Sequence, residues 1–217
     1  MIITLTGMMG CGKSSVGREL SRLLSLPFVD LDDYIEKREG RSIRDIFGNE
    51  GEAAFRNMEL EALKEILSNE ADAERSKHEA AETATPKIEA AHIKTGNMIL
   101  ALGGGTLTTP ECAALVAEHT FCIYLKTSAD ELSRRLESEA AHRPMLKANK
   151  ISSDTHRQQL YRRITRLLSQ REPLYEKTAR RTIATDGLSI SQIAAAIYKL
   201  PNESITIHRT ESPQITE

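Results

Sequence analysis

The apolar positions of the chain follow two rhythms that take turns. Ile2–Thr6, Pro27–Val29, Met98–Leu102, Phe121–Lys126 and Thr182–Ala184 are short, β-prone and nearly unbroken, as strands buried on both faces are. Between them apolar side chains return every three or four residues: Val16, Leu20, Leu23 and Leu24 within 15–25, and Phe55, Met58, Ala62, Leu63, Ile66 and Leu67 within 51–67. Leu160, Ile164, Leu167 and Leu168 mark a helix over 156–169, and 189–199 is a closing amphipathic helix. Strands alternating with helices predict a doubly wound α/β fold, a three-layer α/β/α sandwich around a five-stranded parallel sheet.

Punctuation sharpens these elements. Residues 34–39 form a short helix stopped by Gly40, and Ser42-Ile43-Arg44-Asp45 looks like a capping box that opens another. Pro110 after Thr109 starts a helix, Ser128 and Glu131 cap the one containing Arg134 and Arg135, and Pro173 is expected to break the chain out of helix at 171–175. Two stretches lack a core pattern. Residues 69–95, rich in Ala, Glu, Lys and Thr, read as an insertion that stays loop, frayed helix or disorder at the sheet edge remote from the strand C-termini. Residues 139–155 read as a mobile lid. The expectation is one domain over 1–200, followed by a disordered tail, 201–217.

Composition narrows the class. The 217 residues suffice for one sizeable core, and a net charge of -2 offers no footprint for nucleic acid or an anionic membrane. No stretch approaches the roughly 18 apolar residues of a membrane span, so a cytoplasmic protein, monomeric and acting on small molecules, is expected. Cys11, Cys112 and Cys122, odd in number and without C-x-x-C spacing, suit a reducing compartment. Cys11 reads as a variable loop position, although a nearby helix N-terminus can lower a thiol pKa. The six histidines show no zinc-ligand spacing and are expected at the surface.

The chemistry starts between the first strand and first helix, where Gly7 to Ser14 fits G-x-x-x-x-G-K-[ST]. Glycines let successive N–H groups turn inward, and the helix N-terminus favours phosphate oxygens. This makes a nucleoside triphosphate site, with Lys13 toward the outer phosphates and Ser14 on Mg²⁺. The third strand runs into Gly103-Gly104-Gly105 instead of an acidic residue, and there is no Asn-Lys-x-Asp guanine reader, so a GTPase switch is disfavoured. Asp30 and Asp32, after the second strand, are the available carboxylates. Asp32 suits an acceptor hydroxyl as its base, and Asp30 supports the metal through water. Arg143, in the lid, suits the charge on a moving phosphoryl group. Arg56 and Arg171 either converge on an anionic acceptor or form separate surface salt bridges; spacing leaves both open. The residues alone reach an ATP:small anionic alcohol phosphotransferase.

The ordered set of Gly7 to Ser15, Asp30-x-Asp32, Arg41-Ser42-Ile43 to Phe55-Arg56, Gly103-Gly104-Gly105, Arg143-Pro144-Met145-Leu146 and Arg171-Glu172-Pro173-Leu174-Tyr175 resembles the shikimate kinases, from Met1 to about 198. The resemblance implies a nucleoside monophosphate kinase type of fold with a lid and a substrate-binding helical region. It implies ATP-dependent phosphorylation of the shikimate 3-hydroxyl, on the way to chorismate and aromatic amino acids. Carried over by position, Asp32, Arg56, Gly104 and Arg171 look like the shikimate ligands, Gly10, Cys11, Gly12, Lys13, Ser14 and Ser15 like the ATP-phosphate loop, and Arg143 like the lid residue on ATP. The long 69–95 stretch departs from the family, as does Thr185-Asp186-Gly187, which lacks an arginine that some relatives place near adenine. A gluconate kinase of the same architecture and a nucleotide-dependent binding protein without transfer activity are the competing readings. Deleting 69–95 is expected to leave steady-state kcat and KM unchanged; an altered KM for either substrate would place that stretch at the site.

Overall fold

Five parallel strands, β1 (Ile2–Thr6), β2 (Phe28–Asp30), β3 (Met98–Ala101), β4 (Thr120–Lys126) and β5 (Arg181–Ala184), pair in the order β2-β3-β1-β4-β5. The structure, a computed structural model, describes residues 1–75, 97–137 and 156–200. The insertion beyond residue 75, the lid with Arg143 and the tail lie outside the described residues, as do four histidines, His78, His92, His142 and His208. His119 is half-exposed.

Among the described residues the helices are α1 (Lys13–Leu24), α2 (Leu31–Glu39), α3 (Ile43–Asn49), α4 (Gly51–Arg75), α5 (Pro110–His119), α6 (Ala129–Leu136), α7 (His156–Thr178) and α8 (Ile190–Tyr198). A 3-10 turn, Thr106–Thr108, joins the glycines after β3 to α5. Strand alternation sends Ile3 and Leu5 of β1 to one face, where α1, α6, α8 and the first half of α7 bury Leu20, Leu136, Ile197 and Ile164. Ile2 faces the other side, where α2, α3, α4 and α5 bury Ile35, Ile46, Leu63 and Val116, and Tyr175 brings in the second half of α7. The sandwich is thus three-layered, as the pattern predicts.

Three elements differ from the sequence expectation. Helix α2 starts at Leu31, not Tyr34, because Asp30 is its N-cap and accepts from the Asp32 N–H at 3.1 Å. Helix α4 continues past Leu67 to Arg75. Helix α7 runs through Pro173 without ending. An internal proline costs roughly 3 kcal/mol, but the flanking residues are anchored on both sides. Arg171 and Tyr175 are buried against the glycine turn, and Lys126 of β4 pairs with Glu172 at 2.8 Å and Glu176 at 2.9 Å.

Thr4 and Thr6 also face the second core from β1, and among the described residues theirs are the buried side-chain oxygens without a hydrogen-bond partner. Thr4 lies in register between Leu100 and Cys122. Replacing a buried, unpaired hydroxyl by a methyl of the same shape removes a desolvation cost. Thr4→Val is therefore expected to raise the unfolding free energy by about 1 kcal/mol in urea titrations; a loss of stability would mean that the hydroxyl has a partner.

Candidate active site

The site is built where β1 and β3 end. Beyond Ala101 the ladder continues for one more bond, Leu102 N–H to the Leu5 carbonyl at 3.0 Å, so the loop after β1 and the glycine turn after β3 leave the sheet side by side. They stay close. A Cβ on Gly104 would come within 3.1 Å of the Met9 nitrogen, and one on Gly105 within 2.3 Å of Arg56 Nη2. Gly12, at φ 99°, is the N-cap of α1 in a backbone conformation that side chains disfavour.

Within the phosphate loop, Lys13 folds back across its own turn, donating to the Gly7 carbonyl at 2.9 Å and the Met8 carbonyl at 3.2 Å. Ser14 Oγ donates to Asp30 Oδ2 at 2.5 Å. Because the hydroxyl proton points to Asp30, the lone pairs of Ser14 are left for a cation. Hydroxyl and carboxylate side by side are hard oxygen donors of the kind Mg²⁺ takes while keeping much of its water. Among the described residues no cluster of three or more Asp, Glu, His or Cys forms a cage for a metal. Cys11 is not an open loop position: its thiol is fully buried in the first core. Its carbonyl accepts from Arg135 Nη1 at 3.3 Å.

Two adjoining cavities open on this edge. One, of about 380 Å³, is lined by Gly10, Gly12, Lys13, Ser14, Ser15, Asp30, Asp32 and Gly104, with Arg135 and Ile190 closing it. The other, of about 170 Å³, is lined by Asp32, Arg56, Gly104 and Arg171, with Ile43, Phe47 and Phe55 as an apolar wall and Glu59 beneath. Met9, Asp32 and Gly104 belong to both. At 170 Å³ the second falls below the roughly 300 Å³ from which drug-sized pockets start, so its occupant is small. A wider cavity of about 590 Å³ between α6 and α7 is lined by the capping residues Ser128 and Glu131, by Arg134 and by Asp186, and by none of the predicted catalytic or ligand-binding residues. The arginines are not separate surface ion pairs, since both line the small cavity. Arg143 is the one predicted site residue outside the described segments.

The two guanidiniums differ in what already holds them. Arg56 donates to Glu52 at 2.9 Å and to Glu59, whose carboxylate is fully buried and also accepts from Thr106 Oγ1 at 2.6 Å. Arg171, 5% exposed, donates to the Gly104 carbonyl at 3.3 Å and has no ion-pair partner among the described residues. Neither Glu59 nor Arg135 was singled out from the sequence. The signal for Glu59 is its place in the apolar stripe, four residues after Phe55 and three before Ala62, where an acid has no reason to sit unless paired. Arg135 shows no such anomaly.

Asp32 lies between the two cavities with its pKa raised to about 6, first by burial, then by Glu59 and Asp30, against the pull of Lys13 and Arg56.

The shikimate kinase (SKI) family pattern matches residues 9–73 and 81–200. The chain belongs to the shikimate kinase family. The match pauses only at 74–80, a shorter break than the 69–95 stretch of altered composition. The shikimate kinase of Chlorobaculum tepidum is 36% identical over 202 residues, covering 91% of this chain and 91% of its own length. That of Thermus thermophilus is 34% identical over 197 residues, covering 91% of this chain and 88% of its own. Among solved structures, the shikimate kinase from Acinetobacter baumannii in complex with shikimate is similar with a TM-score of 0.70 at 29% identity, over 91% of this chain and 90% of that one. No helix among the described residues is long and apolar enough to cross a membrane.

In this family member the raised Asp32 pKa has a cost in stability. The folded protein binds the Asp32 proton more tightly than the unfolded chain, whose carboxyl titrates at 3.8, so the charge weakens the fold fully above about pH 6 and not at all below about pH 4. Asp32→Asn keeps the backbone N–H that Asp30 caps. It is expected to be more stable than the parent by about 1–3 kcal/mol at pH 8, with the difference vanishing near pH 4. Equal stability at both pH values would mean that Asp32 is not destabilised in the fold.

Proposed function

We propose that the protein is a shikimate kinase that transfers the γ-phosphoryl group of ATP to the 3-hydroxyl of shikimate, giving shikimate 3-phosphate and ADP for chorismate and aromatic amino-acid synthesis. The observation that carries this reading is the shared wall of the two cavities: Asp32 faces the phosphate loop on one side and the arginine-lined cavity on the other. A base so placed meets both the nucleophile and the group to be transferred.

The geometry of the described residues supports the following roles. The glycine loop and the start of α1 supply backbone donors for the phosphates, and Lys13 exchanges its carbonyl partners for phosphate oxygens. Ser14 would hold Mg²⁺, with Asp30 behind it through water, and the ion would supply neutralisation of phosphate charge. Arg143, outside the described residues, is assigned to ATP by the family resemblance alone. In the acceptor cavity the ring rests against Ile43, Phe47 and Phe55, and its carboxylate meets Arg171 and Arg56. Arg56 is already neutralised by Glu59, so it contributes direction, whereas Arg171 contributes net charge. Asp32 accepts the proton of the attacking hydroxyl; a pKa of about 6 keeps it ionised at neutral pH yet close enough to be an effective base. The protein acts as a monomer in the cytoplasm.

An ADP-release assay with shikimate, gluconate and nucleoside monophosphates as acceptors tests the reading. Turnover with shikimate alone is the expected result, and turnover with gluconate instead would assign the competing activity. Asp32→Ala is expected to lower kcat by about 10²- to 10⁴-fold while leaving ATP affinity in place; near-normal turnover would remove Asp32 from its role.

A further inference from the structure

Tyr175 is 1% exposed, and a phenol taken so far from water needs an acceptor. It finds the carbonyl of Gly104, with its ring tilted at 40° against Tyr124, centroids 5.2 Å apart. Arg171 Nη1 donates to the same oxygen at 3.3 Å. Arg171 and Tyr175 lie four residues apart on α7 and so share a face. A carbonyl oxygen has two lone pairs, and these two donors fill them.

A buried phenol in need of a partner would account for a bond to any acceptor. The choice of this one has further consequences. Gly104 lines both cavities, and it sits in a run of three glycines with no side chains of its own to fix it. Among the described residues Arg171 has no carboxylate partner, so the Gly104 oxygen is the acceptor that orients its guanidinium, with the Tyr175 hydroxyl on the same oxygen. Whatever fixes that oxygen also fixes where the remaining N–H groups of Arg171 point.

We propose that Tyr175 is a positioning residue for the acceptor: its hydroxyl holds the Gly104 carbonyl, and through it both the glycine turn and the guanidinium of Arg171. The assignment rests on the acceptor cavity being the shikimate site. Without the hydroxyl, the Gly104 carbonyl keeps Arg171 as its remaining donor among the described residues, and the arginine gains alternative directions that compete with the one facing the acceptor carboxylate.

Tyr175→Phe keeps the ring and its packing and removes only the hydroxyl. Steady-state kinetics at a temperature well below unfolding are expected to show the shikimate KM raised about three- to tenfold, the range carried by one lost hydrogen bond. The ATP KM should stay within about twofold. A shikimate KM equal to the parent's, or an equal rise in both KM values, would overturn the proposal, the latter marking a general loss of structure. In an Arg171→Ala background Tyr175→Phe should add nothing to the shikimate KM; multiplying effects would show that the tyrosine does not act through Arg171. A parent protein that fails to turn over shikimate would count against the assigned function instead. In that event crystal structures of parent and Tyr175→Phe protein decide the positioning role: Arg171 displaced from Gly104 upholds it, and an unmoved Arg171 overturns it.

Discussion

One backbone hydrogen bond, from Leu102 to the Leu5 carbonyl, carries the pairing of β1 with β3 past the last residue of the strand. With the two strands locked to their ends, both must turn away together, and each does so on glycine. The loop after β1 wraps toward α1 and the turn after β3 toward the 3-10 segment, with less than a side chain's width between Met9 and Gly104. A nucleotide cavity and an acceptor cavity with a common wall are the geometric result. On this sheet order the two ligands do not need to be brought together by a hinge at their inner edges; adjacency is fixed by hydrogen bonding.

Much of this was legible in the chain. The phosphate loop is a local motif whose meaning depends only on the strand before it and the helix after it, and both are strongly patterned. Asp32 and the triple glycine could be placed because a doubly wound sheet sends the ends of its parallel strands to one edge. What resisted was decided by tertiary contact. Pro173 reads as a break, and Arg171 and Tyr175, anchored on the glycine turn after β3, with Glu172 and Glu176, anchored on β4, keep α7 continuous around it. Whether Arg56 and Arg171 converge depends on the packing of α4 and α7 about the glycine turn, which spacing does not encode. Asp30 was read as a strand-end carboxylate, but its second use as the cap of α2 explains why the helix begins three residues early.

Charge in the acceptor cavity is arranged unequally. Glu59 cancels Arg56 from below, fully buried and bonded also to Thr106, while Arg171 donates to the Gly104 carbonyl and has no ion-pair partner among the described residues. Two free guanidiniums lining one small cavity would repel; one neutralised and one without an acidic partner leaves a single uncompensated positive charge there. The same acid raises the proton affinity of Asp32. Thus one residue on the apolar stripe of α4 both neutralises Arg56 and raises the proton affinity of Asp32, and removing it would alter two properties at once.

The three thiols are divided between the two cores. Cys11 lies beneath the nucleotide loop in one, and Cys112 and Cys122, with pKa values pushed up to about 12 chiefly by burial, lie in the other. Alkylating reagents reach thiols only when they are uncovered, and so labelling rates become a gauge of opening that distinguishes the sides of the sheet. Loosening of the loop would tag position 11 first, whereas detachment of α5 would tag 112, each without any probe being introduced into the molecule.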